Sequence, residues 1–119
     1  MKYFRDTEFK CKCGCGQVLV APLLAERLDS ARYYAGIPVL ITSGFRCPKH
    51  NANVKGSPTS SHMKGLAADI ATPTDGMRCR VVGGLLDAGF TRIGIYPTFV
   101  HVDCDPDKRN QVMWLQVGA

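Results

Sequence analysis

Two imidazoles and two carboxylates stand in two short stretches, His62 and Asp69 within Ser60-Ser-His-Met-Lys-Gly-Leu-Ala-Ala-Asp69, and His101 and Asp103 within Phe99-Val-His-Val-Asp103. His62 and Asp69 lie seven positions apart with Gly65 between them, which suits a loop running into a strand better than one helix face. A strand over Leu66–Thr72 sets Ala67, Asp69 and Ala71 on one face and Leu66, Ala68 and Ile70 on the other. A carboxylate among alanines is costly to bury unless something compensates its charge. The second stretch offers a partner. Ile93–Ile95 and Phe99–Asp103 read as strands around a turn at Tyr96-Pro97-Thr98, with Phe99, His101 and Asp103 on one face and Val100 and Val102 toward the core. Two imidazoles and one carboxylate can hold a tetrahedral Zn²⁺ and leave the fourth position for water, the composition of a catalytic zinc site. Such a water is a nucleophile. The plain alternative is a solvated loop histidine and a half-buried strand histidine with no metal, and spacing alone leaves that open.

The longer pattern narrows the choice. Ser60-x-His62-x-x-Gly65-x-Ala67-x-Asp69 resembles the signature of the zinc D-Ala-D-Ala carboxypeptidases and their relatives, which include phage L-alanyl-D-glutamate endolysins, D,D-dipeptidases and the zinc-bearing hedgehog domain. Upstream, Ile41-Thr-Ser-Gly-Phe-Arg46-Cys-Pro-x-x-Asn51 is similar to the segment that precedes the first ligand there, and Phe99–Asp103 to the strand of the last. The resemblance runs from about Phe9 to about Trp114. It implies a zinc peptidase that cuts peptidoglycan peptides, with bonds involving D-amino acids as the target and with His62, Asp69 and His101 as ligands. By the same resemblance Arg46 neutralises the oxyanion or holds a substrate carboxylate, for which a guanidinium fork is suited, and Ser60 touches substrate. Chemistry alone allows Arg46 a surface ion pair and Ser60 a hydroxyl that satisfies its own loop.

One position departs from the pattern. Many relatives carry an acidic residue three places before the last ligand, or a second histidine two before it; here those places hold Thr98 and Phe99. Asp103 is the substitute base, on the ligand face and roughly 7 Å along the strand, or else a group that orients an imidazole. Asp75 and His50 are further candidates. A zinc-bearing module that binds cell wall or protein without cutting it is the alternative function on the same fold.

The whole chain sets the frame. Its 119 residues fit a single domain, 1–119, with a Cys-rich segment at 1–20 as part of it. A 45% apolar and 21% charged composition excludes disorder and low complexity. The net charge of +5 favours polyanionic partners, the bacterial wall among them, but the basic residues are scattered and give no nucleic-acid footprint. No apolar run approaches the about eighteen residues needed to cross a bilayer, and the first residues lack the apolar core of a secretory signal. The expectation is a monomer, without membrane or nucleic-acid partners, made inside a cell and acting on the wall if released, as phage or prophage enzymes are.

Cys11, Cys13 and Cys15 occupy alternate positions. They suit a second, structural zinc completed by Cys47 or Cys104, or disulfides whose pairing sequence cannot choose, or reduced buried thiols; the usual Cys-x-x-Cys spacing is absent.

The remaining elements position these groups. Leu23, Leu24, Leu28, Ala31 and Tyr34 or Ala35 recur at helical spacing from Pro22 to Gly36. Ile37–Thr42 reads as a strand delivering Arg46 near the His62 loop, Pro48–Val54 as a helical turn, and Lys55–Ser61 as a loop. Thr74 or Asp75 caps a helix to about Ala88 that buries Met77, Val81, Val82, Leu85 and Leu86, weakened by Gly83-Gly84 and stopped by Gly89. Residues 111–116 form a last strand or tail with Trp114 in the core. The sum is α+β, a small mostly antiparallel sheet with helices packed on one face, as in the hedgehog and D,D-peptidase architecture.

Overall fold

Apolar and chemically active residues alternate along two central strands, and the sheet is built on that alternation. The computed structural model describes residues 1–116. Strands β1 (Ile41–Ser43), β2 (Ala67–Ala71), β3 (Arg92–Ile95), β4 (Phe99–Asp103) and β5 (Val112–Leu115) form one sheet in the order β1-β2-β4-β3-β5. Every neighbouring pair is antiparallel except β3 and β5, which run parallel. The architecture is the α+β one expected.

Helices α1 (Pro22–Ala35) and α3 (Asp75–Asp87) pack on each other and over one sheet face. Leu24, Leu28 and Ala31 of α1, Val81 and Leu85 of α3, and Ala68, Ile70, Ile93, Val100 and Val102 of the sheet form one buried core with Phe4, Phe9 and Phe90. Pro22 sits in the first turn of α1, where its missing N–H costs nothing. Gly36 ends that helix in the left-handed conformation at φ 69°. Thr74 caps α3 by accepting from the Met77 N–H, 3.1 Å away.

Three expectations change. Leu86 is 51% exposed: of the five α3 residues placed inside, only Val81 and Leu85 are fully covered. Gly84 has a packing role that sequence did not reveal. A Cβ there would meet the Ala31 carbonyl oxygen at 2.5 Å, so the glycine is what lets the two helices approach. The strand expected over Ile37–Thr42 shrinks to three residues, because Pro38 has no N–H to donate and β1 is an edge strand with β2 as its neighbour and an irregular register.

The other sheet face is not apolar. Asp69 and His101 are direct cross-strand partners, as are Ala67 and Asp103. Period two puts all three polar groups on the face away from the helices.

A candidate metal centre in a basic, aromatic cleft

Each imidazole has one nitrogen spoken for, which fixes where the other points. The His62 Nδ1–H donates to the Gly44 carbonyl at 2.7 Å, and because a carbonyl can only accept, Nε2 carries the free lone pair. That Nε2 lies 3.3 Å from Asp69 Oδ1. His101 is arranged the opposite way round: Nε2 faces Asp103 Oδ2 at 2.8 Å and Nδ1 faces Asp69 Oδ1 at 3.0 Å. One ligand atom from each of His62, Asp69 and His101 falls within 4.8 Å of the others. A donor set of two imidazoles and one carboxylate, each imidazole steadied through its other nitrogen, fits zinc by composition and by outer-sphere support.

The local chain explains why these groups converge. Residues Ser61–Lys64 form a 3-10 turn that Ser60 caps through its hydroxyl, which accepts from the His62 N–H at 3.2 Å. Gly65 closes the turn at φ 67° and has the Leu19 backbone where a Cβ would stand, so both its conformation and its space require glycine. Buried Asp105, just beyond the end of β4, pins this turn, accepting from Ser61 Oγ at 2.8 Å and Lys64 Nζ at 2.9 Å.

The electrostatics record the crowding. Burial works against ionising Asp69, yet hydrogen bonds and charges of His101 and His62 outweigh it and hold the carboxyl far below its usual range. Burial likewise opposes charge on His101, but Asp103 and Asp69 on either side raise its pKa. Asp103 is lowered in spite of its burial by His101 and Arg92. Carboxylates and imidazoles crowded this closely mark a place where a cation can take over the compensation.

An open cleft of about 240 Å³ lies over these donors. Arg46, Arg92 and Lys108 give it positive charge, and Tyr96, Phe99 and Trp114 give it aromatic walls. Arg46 reaches Asp69 Oδ2 at 3.5 Å and donates from Nη1 to Asn51 Oδ1 at 3.4 Å. Asn51 is buried and donates in turn to the Ser57 carbonyl, so the guanidinium is held from behind by the loop. A Cβ on Gly56 would fall 2.1 Å from Asn51 Oδ1, which reserves that place for glycine. Ser60 lines the cleft, and its hydroxyl satisfies its own turn.

Asp103 is 1% exposed and both of its oxygens are engaged. Oδ1 accepts from Arg92 Nε at 2.7 Å and from the Asp105 N–H at 3.2 Å, while Oδ2 takes the His101 Nε2–H. Asp75 is exposed in the first turn of α3, and His50 is half-buried on helix α2 (Pro48–Asn53); neither lines the cleft.

Trp114 corrects its expected place in the core. Half-buried on β5, it forms a cleft wall 5.6 Å from the His101 ring, with its Nε1–H donated to Tyr96 Oη at 3.2 Å. A Cβ on Gly94 would overlap the indole at 2.4 Å, so this glycine is the seat for the tryptophan. Sequence reading also passed over Arg92 and Asp105. The hairpin register pairs Arg92 with Asp103, a cross-strand ion pair that counting outward from the turn would have found. For Asp105, which meets Ser61 and Lys64 over forty positions away, no local signal exists.

The family model described as Peptidase M15 matches residues 2–105. Over 68 residues the chain is 35% identical to the zinc D-Ala-D-Ala carboxypeptidase of Streptomyces albus G, covering 56% of this chain and 26% of that relative. The match thus spans about a quarter of the relative's length.

Proposed function

This chain belongs to the Peptidase M15 family, and from that premise and the cleft's geometry we propose that it is a zinc-dependent peptidase of bacterial peptidoglycan, acting on peptide bonds that involve D-amino acids. The observation that carries the reading is the convergence of two lone pairs and a carboxylate, from His62 Nε2, His101 Nδ1 and Asp69, at the floor of an open cleft. A zinc ion held by these three would act as a Lewis acid toward a peptide carbonyl and make water a nucleophile near neutral pH.

The chain's own residues do the rest. The Gly44 carbonyl and Asp103 hold the two imidazoles in the tautomers that leave the correct nitrogens free. Asp103 is a positioning residue in this account: Arg92 and a backbone N–H occupy its Oδ1, and its Oδ2 takes the His101 Nε2–H and so orients that imidazole. Arg46, braced by Asn51 at the cleft floor, is placed to bind a substrate carboxylate or a developing oxyanion, and Arg92 and Lys108 add to the same field. Flat walls from Tyr96 stacked on Phe99 at 4.4 Å, and from Trp114, suit an extended peptide with small side chains.

The test is product analysis by mass spectrometry of purified peptidoglycan incubated with zinc-loaded protein, with His62→Ala in parallel. Defined peptide products from the wild type, lost in the variant, are expected, and their masses identify the bond. A folded, zinc-containing wild type that releases nothing from several wall types would overturn the peptidase reading and favour a wall-binding module.

A further inference from the structure

Four thiols outside the cleft meet at one point. Cys11, Cys13, Cys15 and Cys47 place their sulfurs within 4.8 Å of one another. Cys13 Sγ is 3.5 Å from Cys11 Sγ and 3.6 Å from Cys47 Sγ. A ZnS₄ tetrahedron with Zn–S near 2.3 Å has edges of roughly 3.8 Å, close to both separations. A disulfide needs a sulfur pair near 2.05 Å and joins two partners, whereas Cys13 stands almost equally far from each neighbour.

The backbone is shaped for this meeting. Alternate residues of a flat strand stand some 6–7 Å apart, too far to share one ion. Here Gly14 and Gly16 take φ of 87° and 80°, with open space where a Cβ would be, so glycine serves for its conformation and the chain curls to bring the alternate sulfurs together. Three sulfurs also receive backbone N–H groups: Cys47 N to Cys11, Gln17 N to Cys15 and His50 N to Cys47, each 3.4 Å. Donors aimed at sulfur favour thiolate, the form that binds metal.

We infer that Cys11, Cys13, Cys15 and Cys47 form a closed structural zinc site, distinct from the His62–Asp69–His101 centre. Binding would release the thiol protons to solvent and involve no change of oxidation state. The site would clamp the N-terminal segment to residues 44–47, whose Phe45 N–H already donates to the Phe9 carbonyl at 2.8 Å. That short run holds the cleft from behind, since Gly44 orients His62 and Arg46 reaches into the cleft. Cys104 takes no part, its thiol pointing instead to the Leu66 carbonyl at 3.7 Å.

Metal counting on the full chain, purified under reducing conditions, tests this alongside cobalt substitution. The expected result is one zinc beyond that of the His/Asp centre, with ultraviolet thiolate-to-cobalt charge transfer from the cobalt form. Cys15→Ser, at an exposed ligand, should lose that band and one metal equivalent, and Cys79→Ser, on the exposed face of α3, should lose neither. His101→Ala should keep the band, which separates this site from the hydrolytic reading: a sulfur band without peptide products would sink only the latter. No band in a folded wild type whose four thiols alkylate freely, or disulfides among them by peptide mapping, would overturn the assignment.

Discussion

The two clusters of candidate metal ligands are built by opposite means. His62, Asp69 and His101 are set by regular structure: Asp69 and His101 face each other across β2 and β4, and His62 rides a capped turn immediately before β2. Their donors number three, and a cleft opens over them. The cysteines sit on irregular chain curled by left-handed glycines, plus the residue that opens α2, and they number four. Three donors beneath an opening leave a position for water and substrate, whereas four sulfurs complete a tetrahedron. On the proposed reading, rigid strands carry the first site because chemistry tolerates little misplacement, and the second would supply rigidity where the chain has no strand to offer.

The contrast can be broken from either side, and the largest effect should come from the open site. Replacing Asp69 by Asn or His62 by Ala should reduce peptide release from peptidoglycan to background, measured by chromatography of soluble products. Thermal unfolding should still show one cooperative transition, since Ala68, Ile70 and the rest of the core are untouched. If activity survives these changes, the open site is not where hydrolysis occurs.

Next comes the closed site. Stripping its metal, or Cys13→Ser, should lower Tm on the order of 10 °C by loss of ligand linkage, read by calorimetry. The His/Asp centre should keep its own metal equivalent. Equal Tm with and without the sulfur-bound metal would make the cluster incidental to stability.

A smaller loss is expected at Asp103→Asn. The amide can still accept the His101 Nε2–H but lacks the charge that meets Arg92, so zinc affinity or activity should drop about 10–100-fold. A pure positioning role predicts that the shape of the pH–rate profile is kept. If the acidic limb of that profile moves or vanishes, Asp103 acts as a base in proton transfer.

The smallest effect concerns Asp105, which ties the His62 turn to the chain beyond β4. Burial raises its carboxyl pKa, but hydrogen bonds from Lys64 and Ser61 more than reverse this, so the folded value lies below the ordinary 3.8. A depressed folded pKa stabilises above the unfolded value and ceases to do so as pH falls through the folded one. Asp105→Asn should therefore cost a few degrees of Tm at neutral pH and progressively less in strong acid, by fluorescence melts across pH. A penalty independent of pH would show that the carboxylate's charge is not what holds the turn.

Much of this was written in local pattern. The period-two alternation of 66–72 grouped Asp69 with Ala67 and Ala71, that of 99–103 grouped His101 with Phe99 and Asp103, and the run from Ser60 to Asp69 carried the family resemblance. Helix α1 was legible from apolar spacing between Pro22 and Gly36. What escaped detection depends on distant partners. Trp114 looked like a core residue until the parallel pairing of β5 with β3 set it beside Gly94 and His101. Leu86 looked buried because helical spacing cannot tell which α3 positions α1 covers. The choice of Cys47 over Cys104 as companion to the alternate cysteines needed the fold to bring residues 47 and 11 together.

The most direct test of the central claim is a zinc titration of protein freed of metal at the His/Asp centre, followed by hydrolysis of a peptide ending in D-Ala-D-Ala or of wall peptides. The account predicts that activity returns in step with one equivalent of zinc and that His101→Ala fails to recover at any zinc level. Full activity in the metal-free protein, or recovery in His101→Ala, would contradict it.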